Sequence, residues 1–187
     1  LRRARSFIAL YRFPLMPKII SAIDTKDAAF QDNRADMLAQ IDGLRQLEGM
    51  IRARSEKSRE RFAARNQLLP RDRLELLLDR GAPWLELSTT AGYKTYDDDG
   101  DKNISGARLI TGIGMVAGVR CVVIVDDSGI LAGALHTHGV DKMIRAFNVA
   151  LENKLPTIHL VQSAGADLLD YVPATWVRAG GMFHMQA

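Results

Sequence analysis

Two β-rich apolar runs lying back to back constrain this chain more than any other feature. Leu109 to Gly118 reads LITGIGMVAG and is followed at once by Val119 to Val125, VRCVVIV. With Gly118 between them the simplest structure is a hairpin. The run carries Gly112, Gly114 and Gly118, a GxGxxxG spacing followed by a strand where a dinucleotide-binding turn needs GxGxxG and a helix, so a Rossmann fingerprint is excluded. The second run ends at the turn Asp127-Ser128-Gly129. After Ile130 to Thr137 and Gly139, a helix is expected from about Val140 to Asn153, with Ile144, Phe147, Val149 and Leu151 on its apolar side. Pro156 then precedes a strand over Thr157 to Val161. Strand, helix, strand makes a βαβ unit with a right-handed crossover. There is no internal repeat.

Upstream, the spacing predicts helix from Thr25 to about Leu69, with Thr25 as N-cap and Asp27 in the first turn. Met37, Ile41, Leu44, Leu47 and Ile51 recur at helical spacing. Glu56, Arg59, Glu60, Arg61 and Arg65 form a mixed-charge stretch, read either as a solvated face or as a surface for a partner subunit. Leu69-Pro70 breaks the helix. A short helix Arg73 to Leu78 follows, with Gly81 at its C-cap and Pro83 beyond it, then a short strand Trp84 to Leu87. Tyr96 to Asp101 is acidic, but Gly106 and Ala107 stand where a calcium loop needs its distal glutamate, so the stretch reads as a solvated turn.

The 187 residues, 47% hydrophobic and 25% charged, suffice for a buried core. The net charge of +3 is concentrated before the first acid, Asp24, in Arg2, Arg3, Arg5, Arg12 and Lys18. The near-neutral remainder argues against a nucleic-acid partner. No apolar run reaches the roughly 18 residues of a spanning helix, so no membrane role is indicated. A single cysteine, Cys121, excludes a disulfide framework and reads as a small core residue. The chain opens on Leu1 with an Arg-rich, acid-free segment: a mitochondrial-type presequence, a genuine arm, or residues upstream of a start at Met16-Pro17-Lys18. The start at Met16 is favoured and goes with a cytoplasmic protein; a presequence would place it in the mitochondrial matrix.

Chemistry points to the end of the strand Thr157 to Val161, which runs into Gln162-Ser163-Ala164-Gly165-Ala166-Asp167. Small residues at the C-terminal end of a buried strand let a ligand approach the backbone. Two free N–H groups there could hydrogen-bond a thioester oxygen as it gains enolate charge. Read on its own, the same pattern is also that of a tight turn. His136 and His138 flank Thr137, but no third ligand stands near, which argues against a metal. They read as loop histidines, with a place near the ligand as the alternative, and His159 and His184 as packing or surface residues.

Leu155-Pro156-Thr157-Ile158-His159-Leu160-Val161-Gln162-Ser163-Ala164-Gly165-Ala166 resembles the LP-x-I-x-L-V-D-S-G-G-A stretch of the carboxyltransferase (β) subunits of biotin-dependent acyl-CoA carboxylases. Ala64 to Leu74, ARNQLLPRDRL, is similar to that family's A-R-G-K-L-L-P-R-E-R-I. Trp84 to Ser88, Ala91-Gly92-Tyr93 and Ile110 to Gly114 resemble F-L-E-L-S, A-G-Y and I-T-G-I-G of its methylcrotonyl-CoA branch, and Gln186-Ala187 fit N-Q-A. The resemblance is collinear from about Asp24 to Ala187.

The resemblance implies an α/β, crotonase-like fold of repeated ββα units. It divides the chain into an arm (1–24), a helical region (25–81) and part of an acyl-CoA carboxyltransferase domain (82–187). The implied activity is transfer of CO2 from carboxybiotin to a branched enoyl acyl-CoA, of methylcrotonyl- or geranyl-CoA carboxylase type. Implied partners are a biotin carboxylase/biotin carrier α subunit and further β subunits in a homo-oligomer; implied cofactors are biotin on the partner and the acyl-CoA substrate, with no metal. Ala164 and Gly165 are the implied oxyanion donors, and Ser163, Ala166, Gly133, Lys142 and Arg145 the implied CoA contacts, with Lys142 and Arg145 read alternatively as solvated helix charges. The chain departs from the pattern at Gln162 for the acid, Ala164 for the first of two glycines, and Leu131-Ala132-Gly133 for Lys-Gly-Gly. A biotin-dependent acyl-CoA decarboxylase subunit and a non-catalytic CoA-binding or assembly module remain as alternatives.

Overall fold

The computed structural model describes residues 20–95, 105–169 and 171–186. The acidic stretch around 96–101 and the arm before residue 20 lie outside them. Contacts divide the chain into two units, Leu1–Gln40 and Ile41–Ala187. In the described part of the first unit only Phe30 is half-buried. Helix α1, Ala28–Glu56, begins there. Its cap is Asp27, not Thr25: the Asp27 carboxylate accepts the Ala29 N–H at 3.3 Å.

The second unit is built on a four-stranded mixed sheet in the order β1-β2-β3-β4. The expected hairpin is its centre: β2 (Leu109–Val116) and β3 (Val119–Asp126) pair antiparallel from Leu109↔Asp126 to Val116↔Val119. Ala117 and Gly118 both take positive φ, +50° and +77°, as a two-residue turn matched to strand twist requires. Asp79 caps that turn, its two oxygens each accepting one of the Ala117 and Gly118 N–H groups at 2.8 Å. β1 (Leu85–Leu87) adds antiparallel to β2, and β4 (Thr157–Leu160) lies parallel beside β3, with α4 (Thr137–Asn153) between them in sequence. The βαβ unit is therefore as expected, with α4 starting a turn earlier.

Both faces of the hairpin are covered, which explains why its strands are apolar throughout. On one face Leu109, Val122 and Ile124 pack against Met143, Ala146, Phe147 and Ala150 of α4. On the other, Ile110, Cys121, Val123 and Val125 pack against Leu74 and Trp84. Cys121 is a buried core thiol.

The long upstream helix is broken. α1 ends at Glu56, the five-residue α2 (Arg59–Ala63) follows, and Asn66 takes φ +53° before Pro70 opens α3 (Pro70–Leu77). Tertiary contacts set the break: Ser55 Oγ donates to Asp127 Oδ1 at 2.5 Å and Ser58 Oγ to the Gly129 carbonyl at 2.6 Å, turning the chain around the loop after β3. α3 ends at Leu77 with Leu78 as its C-cap, and Gly81 (φ +77°) serves the next turn, not the helix cap. The apolar stripe on α1 is buried only at Ile51, while Met37 and Leu44 are exposed.

One helix escaped the sequence reading: α5, Pro173–Gln186. Gly180-Gly181 weakens its intrinsic propensity. It is held on α4 by Met182 and Met185 against the core, by a hydroxyl contact of 3.1 Å between Thr137 and Thr175, and by an Arg178–Asp141 pair at 2.9 Å.

Candidate functional site

The C-terminal ends of the parallel pair β3 and β4 open into a depression of about 460 Å³. Ser128, Ala132, Gln162, Ser163 and Ala164 line it from the strand-end loops, and Arg61, Phe62, Arg65 and Gln67 from the α2 region. Open α/β sheets place ligands at strand ends of this kind. Larger by volume is a groove of about 570 Å³ along β1 between Trp84, Ile113 and Arg120, but it holds no cluster of polar groups that would orient a reacting carbonyl.

The two strand-end loops are laced together backbone to backbone. Ala164 N–H donates to the Ala132 carbonyl at 3.0 Å, Leu135 N–H to the Gly165 carbonyl at 2.8 Å, and Asp167 N–H to the Leu135 carbonyl at 2.8 Å. Ser163 Oγ donates to the Gly133 carbonyl at 2.7 Å and accepts the Gly165 N–H at 3.0 Å. Leu131, Ala132 and Gly133 form a left-handed turn with φ of +46°, +53° and +67°. Gly133 is required there: a Cβ would stand 2.8 Å from the Gln162 carbonyl.

These contacts bring Ser163, Ala164, Gly165, Ala166 and Gly133 into one place. They also correct the expected chemistry. The Ala164 and Gly165 amides are not free, because one donates to Ala132 and the other to Ser163. Among the described residues the Ala132, Ser163 and Ala166 amides beside them have no protein acceptor, and that of Ala132, on the loop after β3, was passed over in the sequence.

Lys142 is a second correction. It is buried and turned inward, its Nζ donating to the Leu109 carbonyl at 2.6 Å and the Gly106 carbonyl at 3.0 Å. It caps a left-handed turn in which Gly106, Ala107 and Arg108 all have positive φ, and no solvent-borne phosphate reaches it. Burial pulls its pKa down to about 8, against the opposing attraction of Glu86 and Asp127. Arg145 is exposed on α4 and does not line the depression.

Buried polar groups hold the site in shape. Asp126, at the end of β3, accepts the Gln162 N–H at 2.9 Å and contacts His159 Nε2 at 3.1 Å. Arg108 pairs with Asp167 at 2.6 Å and donates to the Ala134 carbonyl at 3.2 Å. Half-buried Glu86 takes both Nη groups of Arg71, at 2.8 and 3.0 Å. Burial raises its pKa, but Arg71 outweighs that and holds the carboxyl below its ordinary value. Asp127, bonded to Ser55, is pushed up by burial. His136 is buried at the start of α4, His138 Nε2 meets Thr95 Oγ1 at 2.9 Å, and His184 is exposed. No cluster of three or more metal-ligating side chains occurs among the described residues, and no described helix is long and apolar enough to cross a membrane.

The carboxyl transferase domain matches residues 61–187, and the chain belongs to that family. Its fold is the crotonase-like one: over 91% of this chain and 32% of the other, it superimposes on the β subunit of geranyl-CoA carboxylase from P. aeruginosa with a TM-score of 0.80 and 42% identity. A probable mitochondrial methylcrotonoyl-CoA carboxylase β chain of Drosophila melanogaster is 36% identical over 79% of this chain and 25% of its own. A biotin-dependent 3-methylcrotonyl-coenzyme A carboxylase β1 subunit of Mycobacterium tuberculosis is 39% identical over 75% of this chain and 25% of its own. The chain thus spans about a quarter of the length of the curated relatives it matches.

Proposed function

We propose that the chain forms the acyl-CoA half of a carboxyl-transfer site, acting on a branched enoyl-CoA. The observation that supports this best is the depression at the β3 and β4 ends, where exposed Ala132 and Ala164 border one opening. The thioester lies against Gly133 and Ser163 to Ala166. The Ala132 N–H donates to its oxygen, favouring the negative charge that develops there when the adjacent, or vinylogous, carbon becomes nucleophilic. The Ala164 and Gly165 amides and the Ser163 hydroxyl act one step back, fixing the distance between the two loops. Carboxybiotin, borne by a partner α subunit, supplies the carboxyl group. No side chain of this chain is assigned as the base. The protein works in an oligomer of β subunits with that biotin-bearing partner, as the names of its relatives suggest.

The test is incorporation of radioactive bicarbonate into a panel of acyl-CoAs by the protein together with its biotin-bearing partner. Branched enoyl-CoAs acquire label on this reading. No incorporation into any thioester overturns it, and a decarboxylase or a non-catalytic CoA-binding module then stands in its place.

A further inference from the structure

The same depression carries a feature that the thioester does not use. α2 lends it Arg61 and, just beyond the helix, Arg65, both exposed and both on its lining with Gln67. Neither guanidinium pairs with a carboxylate among the described residues. Their neighbours do: Arg59 lies between Glu56 and Asp72, and Arg71 on Glu86. Arg61 is kept in place by neutral contacts, with Nη2 donating to Ser58 Oγ at 2.9 Å and the guanidinium 5.7 Å from the Phe62 ring centre. Phe62 is buried, and its carbonyl accepts the Arg65 and Gln67 N–H groups at 3.0 and 2.9 Å. Ser58 in turn donates to the Gly129 carbonyl, which ties α2 to the loop after β3. Two cations without a carboxylate partner among the described residues thus share one lining with the strand-end loops.

We infer that Arg61 and Arg65 form an anion subsite for the phosphates of the 3′-phosphoadenosine diphosphate end of the acyl-CoA. This rests on the reading above and names the residues that hold the far end of that ligand in place of Lys142. Fork-shaped guanidinium groups suit phosphate oxygens, which accept two parallel N–H bonds. Phosphates supply the charge that the protein leaves out, and the Phe62 ring beneath Arg61 limits the conformational freedom lost on binding.

The test uses the full protein with its partner. Wild type, Arg61→Gln/Arg65→Gln and Arg61→Lys/Arg65→Lys are compared on one acyl-CoA and the matching acyl-pantetheine, which lacks the nucleotide phosphates. Binding of adenosine 3′,5′-bisphosphate is measured alongside by calorimetry. Wild type should prefer the CoA ester, and the glutamine pair should lose about tenfold or more of that preference, chiefly through KM. The lysine pair should keep most of it. Adenosine 3′,5′-bisphosphate should bind wild type, weaken with added salt, and bind the glutamine pair about tenfold less tightly. If the protein carboxylates acyl-CoA and both variants keep the full preference, the subsite is wrong and the function stands. If wild type takes neither thioester, the function fails and the subsite with it. Because the ratio of two substrates is read on one preparation, loss of folded protein cancels.

Discussion

Arg73 Nη1 donates to Gln162 Oε1 at 2.7 Å, joining α3 to the second residue beyond β4. This bond crosses from the helical region to the strand-end loop that carries Ser163 and Ala164. The Gln162 N–H is held at the same time by Asp126. Gln162 is therefore fixed at backbone and side chain by two different elements, and the loop it begins inherits that position.

That bond should be measurable as a coupling. Gln162→Leu and Arg73→Met are each expected to cost about 1 kcal/mol in urea unfolding, and the double variant less than their sum by a similar amount. Strict additivity would mean that the contact contributes nothing to stability.

Lys142 predicts an alkaline trend. Its folded pKa of about 8 lies below the ordinary 10.5. Below about pH 8 both folded and unfolded states carry the proton, and the full cost of burying the charge is present. Between 8 and 10.5 the unfolded state holds more protons than the folded one, so stability rises with pH, by about 3 kcal/mol at most. Lys142→Met should abolish the rise. It should also destabilise the protein near neutrality by about 2 kcal/mol, because the Gly106 and Leu109 carbonyls lose their donor. Unfolding curves across that pH range, wild type against variant, check both.

Lys142 also shows where sequence reading stops. A lysine on an amphipathic helix is normally solvated, and nothing in the residues around it announces that Gly106 to Arg108 will coil left-handed beneath it. The same holds for Ala132. Its carbonyl accepts the Ala164 N–H, a bond that exists only once two loops far apart in sequence lie side by side. The hairpin, α4 and β4 were legible because their signals are local: apolar runs, the glycine turn, the helical period. The break at Ser58 and the existence of α5 were not, since the first is imposed by Gly129 and Asp127 and the second by packing on α4. Which strand-end amides are bonded within the protein was not legible, because their acceptors, the Ala132 carbonyl and the Ser163 hydroxyl, are brought to them only by the folded loops.

Glu86 predicts the opposite pH dependence. Burial raises its pKa, but bidentate Arg71 and the charge of Arg52 bring it below the ordinary 4.5. The pair's contribution is therefore present above that value and lost as the pH falls through the folded pKa. Glu86→Gln leaves the Arg71 guanidinium without its counterion and should destabilise by about 2 kcal/mol near neutrality, with the gap to wild type narrowing in acid. Denaturant titrations at neutral and acid pH distinguish this from a packing effect, which would leave the gap constant.

Two glycines separate fold from ligand binding. At Gly112 a Cβ would stand 2.4 Å from the Trp84 ring and 2.5 Å from the Leu85 carbonyl. Gly112→Ala must therefore push β1 and Trp84 off the sheet, and a loss of about 3 kcal/mol or failure to fold is expected. At Gly165 a Cβ would meet nothing, so the only cost is the left-handed backbone at φ +90°, about 1–2 kcal/mol. A folded Gly165→Val protein is thus within reach, with its branched side chain beside Ser163 and Ala164, where the thioester is proposed to lie. Its affinity for acyl-CoA, measured by competition against a fluorescent CoA ester, should fall by about tenfold or more while its circular dichroism stays that of wild type. Unchanged affinity in a folded variant would move the acyl-CoA away from the β4 end.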